Sequence, residues 1–134
     1  MDRRKARAVV YKMVYATKYN KEMEYDDLLT FCAEGEDIDN ESSQYIVDTY
    51  NGIISNMDKL TESIMAHIQG YDMDRVYPLD MVALLYASYE LLYTDIPPKV
   101  AINEAVNLVK SFSTPKSVNF VNGVLSKLYK DNNE

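Results

Sequence analysis

The chain has 134 residues, 47% of them hydrophobic and 26% charged, with a formal net charge of −7. This is the size of one domain, 1–134, with the composition of an ordinary globule able to bury about two-thirds of its unfolded surface. No apolar run approaches the ~18 residues of a membrane span, the opening Met1-Asp2-Arg3-Arg4-Lys5 leads into an amphipathic segment, and the single Cys32 excludes an intrachain disulfide, so a cytoplasmic protein with no membrane association is expected.

In chain order, the first helix is predicted from Arg3 to Tyr19, with Ala6, Val9, Val10, Met13, Val14 and Thr17 as its core stripe. A second stripe holds Tyr11, Tyr15 and Tyr19 at i, i+4 and i+8. Tyrosine buries a ring while keeping a polar tip, so this stripe reads either as a protein interface or as a further core contact. A short helix over Glu24–Cys32 turns Tyr25, Leu28, Leu29 and Cys32 inward. The acidic run from Ala33 to Asn40 reads as a loop, because its glycine and its closing residue do not fit calcium-loop spacing. A helix over Ser42–Asn56 follows, burying Ile46, Tyr50, Ile53 and Met57. Asp58 is placed to cap the next, whose stripe is Leu60, Ile64 and Ile68 and whose end is Gly70. Pro78 opens a long helix reaching Tyr93, with Leu84, Ala87, Ser88 and Leu91 facing the core.

The stretch Asp95–Leu125 reads as two helices around a tight break. Pro97-Pro98 starts the first, and Ile102, Ala105, Val106, Val109 and Phe112 give it a buried face. Ser113-Thr114-Pro115 caps and opens the second, which buries Val121, Val124, Leu125 and Leu128. Gly123 inside that helix predicts close backbone packing, since Gly there costs about 1 kcal/mol relative to Ala. Phe120 lies off the stripe among Asn119, Asn122 and nearby lysines; it is either core or a base-stacking ring. Every long segment has the helical period, so the fold class is all-α, a compact bundle of about seven helices.

Charge is unevenly spread. Residues 1–21 carry +6, residues 22–95 carry −15 and residues 96–134 carry +2. This is either simple solvation of helix faces or two surfaces, a cationic one for an anionic polymer and an acidic one for a basic protein. His67 and Cys32 are the only histidine and cysteine, with no metal-ligand spacing, phosphate-cradling loop or nucleophile elbow. The chain reads as a binding module and not as an enzyme, with no metal or cofactor expected.

Several motifs carry a resemblance. Arg3-Arg4-Lys5-Ala6-Arg7 with Tyr15, Tyr89-Glu90-Leu91-Leu92 leading to Asp95-Ile96-Pro97, Val100-Ala101-Ile102-Asn103-Glu104-Ala105-Val106 with Lys110-Ser111-Phe112, and Phe120-Val121-Asn122-Gly123-Val124-Leu125 occur in register over nearly the full length. In these the chain resembles the NusB family of bacterial transcription antitermination factors. It departs from the family pattern at Leu85, where Arg is usual, and at Asn119, where Lys is common.

The resemblance implies two three-helix subdomains and binding of boxA-type RNA together with the ribosomal protein NusE. It also implies a place in the transcription elongation complex, supporting processive transcription of ribosomal RNA operons. Carried over by residue, Arg3, Arg4, Lys5 and Arg7 would meet phosphates, with Lys99, Lys116 and Phe120 alongside. Tyr15, Tyr19, Asp74 and Asp80 would face NusE. The alternative is a self-associating helical scaffold whose homodimer buries the RNA surface.

Overall fold

The computed structural model describes residues 1–68 and 75–132. Among these residues there are seven helices and no strand, and the chain divides into two compact units, Met1–Ser55 and Asn56–Glu134. Gly70 and Asp74 lie outside the described residues.

The first unit holds α1 (Arg3–Tyr19), α2 (Tyr25–Ala33) and α3 (Asn40–Ser55). Asp2 caps α1 by accepting the Lys5 N–H at 2.8 Å. Ala6, Val9, Val10, Met13 and Val14 then form the expected stripe, buried together with Leu28 and Cys32 of α2 and Ile46 and Ile53 of α3. Thr17 is half-buried; its hydroxyl bonds the Met13 carbonyl at 2.8 Å and the Tyr50 hydroxyl at 2.6 Å, tying α1 to α3. Beyond α2 the chain reverses through Glu34 at φ 52 and Gly35 at φ 81. Left-handed backbone costs a side-chain-bearing residue about 1–2 kcal/mol, and glycine takes the second such position without that cost.

The acidic run is more than a loop. Asp39 starts α3: its carbonyl accepts the Ser43 N–H at 2.9 Å, its carboxylate accepts the Ser42 N–H at 3.3 Å, and the same group pairs with the Met1 ammonium at 3.0 Å. That cap moves the helix start to Asn40, two residues before the expected Ser42. Hydrogen bonding from Ser42, and then the ammonium, hold the Asp39 carboxyl well below the usual carboxylate range. A depressed carboxyl stabilises the fold above its ordinary titration range, and this contribution is lost as pH falls through the folded-state value.

The second unit holds α4 (Met57–Met65), α5 (Pro78–Tyr93), α6 (Pro98–Phe112) and α7 (Pro115–Asn132). α5 is its centre, packed against the other three helices. Every residue from Asp80 to Ser88 is buried, as is Glu90. A helix apolar on all sides must be surrounded, and this one is. Leu85, at the position where the family pattern carries Arg, is 1% exposed and belongs to that core. Ala101, Ala105, Leu108 and Val109 of α6 and Val121, Val124, Leu125 and Leu128 of α7 complete it. His67 ties α4 to α7: Nδ1 donates to the Ser63 carbonyl at 2.7 Å and Nε2 lies 2.6 Å from Asp131 Oδ2.

Other details also differ from the sequence expectation: Tyr50, Leu91, Ile102 and Val106 are half-buried, and Asn56, not Asp58, stands at the N-cap of α4. Ile68 is buried but lies past the end of α4 at Met65. Phe112, the last residue of α6, is 37% exposed. Gly123 makes no close approach: it is exposed, and a Cβ placed there meets nothing within 4 Å. Gly123→Ala is therefore expected to stabilise the protein by about 1 kcal/mol through helix propensity alone. Thermal melting checks this, and a lower midpoint would restore a packing role to the glycine.

Candidate nucleic-acid interface

Of the cations expected to meet phosphate, four lie at the start of α1. A helix N-terminus carries partial positive charge, so carboxylates are favoured there and cations are not. The first turn of α1 holds Arg3, Arg4 and Lys5 and no acid. Helix stability alone does not select that pattern. Arg4 and Lys5 are exposed, Lys5 standing 3.7 Å from Glu36. Arg3 places its guanidinium 3.9 Å above the Tyr45 ring, and the Arg7 guanidinium lies 5.9 Å from the same ring. Arg7 is only 5% exposed. It is thus placed to hold Tyr45 and the helix start, not to reach solvent phosphate. Tyr45 was missed in the sequence, since it lies off the α3 stripe and its partner is 42 positions away by numbering from Arg3.

The tyrosine stripe of α1 runs from core to solvent. Tyr11 is 1% exposed, Tyr15 half-buried and Tyr19 66% exposed, with the last two rings 5.1 Å apart and tilted by 55°. The core reading holds for Tyr11, while Tyr19 stands in solvent. Beside α1, Cys32 is buried and its thiol is pushed up by desolvation, with Lys12 opposing and Glu34 adding to the rise. A thiol so placed is inert.

In the second unit, Lys99 and Lys116 are exposed in the first turns of α6 and α7. Phe120 is half-buried one turn after Lys116, so ring and cation share a helix face. Asp80 is not a surface acid as expected. It is 3% exposed, accepts the Ser113 hydroxyl at 2.6 Å and the Ser117 hydroxyl at 2.9 Å, and so clamps the α6–α7 break onto α5. Thr114 adds its hydroxyl to Ser117 at 3.0 Å. Against this junction lies a cavity of about 250 Å³, lined by Arg75, Tyr77, Asp80, Lys116, Ser117 and Phe120 among others. Arg75 and Tyr77 escaped the sequence reading, although Arg75 is one of two cations between residues 22 and 95. Among the described residues no group of three or more His, Cys, Asp or Glu side chains is gathered to hold a metal, and no helix is long and apolar enough to cross a membrane.

Among the described residues the elements are helices alone, with exposed cations in the first turns of α1, α6 and α7. Residues 4–130 match the model of the NusB family. A transcription antitermination protein NusB from Clostridium novyi is 35% identical over 133 residues, covering 97% of this chain and 99% of that protein. A solved structure of NusB from T. maritima superposes with a TM-score of 0.87 at 27% identity, covering 98% of this chain and 92% of the other. A crystal structure of the antitermination factors NusB and NusE in complex with dsRNA gives a TM-score of 0.84 at 25% identity, covering 96% of each chain. The chain belongs to the NusB family of transcription antitermination proteins.

Proposed function

We propose that this chain acts in transcription antitermination by binding boxA-type RNA together with NusE. The cationic first turn of α1 carries this reading, because Arg3, Arg4 and Lys5 stand where the helix itself favours carboxylates. Arg4, Lys5, Lys99 and Lys116 contact phosphate, Arg3 does so while stacked on Tyr45, and Phe120 offers a ring to a base. Tyr15 and Tyr19, with the acidic block that includes Asp74, supply the surface for NusE, a basic ribosomal protein by the same charge logic. The complex joins the elongating polymerase in the cytoplasm and favours processive synthesis of ribosomal RNA. Self-association through the tyrosine stripe has weaker support: only Tyr15 and Tyr19 of it reach solvent, a small area against the roughly 800 Å² per partner of a stable dimer.

Fluorescence anisotropy with labelled boxA RNA tests the reading. Binding is expected to tighten when NusE is added and to weaken when the RNA sequence is scrambled. Equal affinity for both RNAs, with and without NusE, sinks it.

A further inference from the structure

The cavity in the second unit has a lining that phosphate binding alone does not require. Its volume, about 250 Å³, leaves room for a single ring system. Two of its walls are aromatic, Tyr77 and Phe120. Tyr77 is 58% exposed, and the Pro78 that follows keeps its backbone extended at φ −58 and ψ 136. Two other lining groups, Arg75 and Lys116, make no ion pair among the described residues. The acid beneath them, Asp80, already accepts from Ser113 and Ser117. The starts of α5 and α7 border the same space and add their partial positive charge.

Flat apolar walls beside two cations suit a planar ring that carries an anion. We infer that this cavity is a subsite for one unstacked nucleobase of the bound RNA, its ring against Phe120 and Tyr77 and its phosphate toward Lys116 and Arg75. This rests on the RNA-binding reading above and adds to it: one nucleotide is drawn out of any stack, so the site requires single-stranded RNA at that position. Arg75 and Tyr77 then belong to the recognition surface.

The test is an abasic scan of boxA-type RNA against the chain together with NusE. Abasic replacement at one position is expected to weaken binding by about tenfold, as loss of one base–aromatic stack does, while the other positions change little. Tyr77→Ala is expected to weaken intact RNA by a similar factor and to leave the abasic RNA no weaker than before. Tyr77→Phe should bind as the parent does, because the ring and not the hydroxyl carries the contact. Tyr77 makes no side-chain cap hydrogen bond to α5, so the melting midpoint should not move in either variant. If RNA binds but no position stands out, or if the losses from Tyr77→Ala and from the abasic site multiply, the subsite is overturned and RNA binding stands. If no RNA binds at all, the RNA reading fails and the subsite falls with it.

Discussion

Affinity for boxA-type RNA is expected to fall roughly a hundredfold between about 50 and about 200 mM monovalent salt, a slope near −3.5 if each of five cations releases one counterion from single-stranded RNA. The five are the exposed Arg3, Arg4, Lys5, Lys99 and Lys116. Arg7 is left out of the count because it is 5% exposed. Arg4→Ala should make the slope shallower by about 0.7 and weaken binding several-fold at a fixed salt concentration, equally for related RNA sequences, as a phosphate contact does. Its melting midpoint should match that of the parent, since Arg4 is exposed in a first turn where a cation is not favoured. Anisotropy titrations at four or more salt concentrations give the slope. A flat salt dependence would remove these cations from the interface.

Asp80→Ala is expected to destabilise the protein by about 3 kcal/mol, lowering the melting midpoint by roughly 10 °C. Two hydroxyls, of Ser113 and Ser117, lose a charged acceptor at 2.6 and 2.9 Å, and both come from the break that separates α6 from α7. Hydrogen bonds to a charged group contribute about 1.5–3 kcal/mol each, and the orphaned hydroxyls remain in a closed site: Ser117 is 2% exposed. Ser113→Ala removes one partner only and should cost about half as much. Urea unfolding of the three proteins decides the matter. An Asp80→Ala protein as stable as the parent would mean that the clamp contributes nothing, and Asp80 would return to the reading that placed it at the NusE surface.

The helices were legible because each has a 3.6-residue apolar period and clear punctuation. α1 has the expected bounds, Arg3 to Tyr19, and Pro78, Pro98 and Pro115 each open a helix. What stayed hidden depends on partners far away along the chain. An acid two residues after a proline, in a first turn, reads the same whether it faces water or serines; Asp80 meets partners 33 and 37 positions later. Tyr45 gave no signal because its role is set by Arg3, and Tyr77 read as a residue before a proline and nothing more. Gly123 misled for a different reason. Propensity argues that a mid-helix glycine has a packing cause, and here the position faces open space. The candidate contact residues themselves came from the family resemblance and the charge map; of these the structure moved Arg7 and Asp80 inward.

The proposed contact residues share a position within their own helices: Arg3, Arg4 and Lys5 in the first turn of α1, Tyr77 just before α5, Lys99 and Lys116 in the first turns of α6 and α7. The core of each of those helices lies further along it. Substitution at the starts can therefore change RNA preference while the interior holds the fold, and drift in the interior leaves the contact residues in place. Asp80 is the exception, because one carboxylate both fixes the helix junction and floors the cavity. Lineages free to vary their RNA targets at every other position would find that one closed to change.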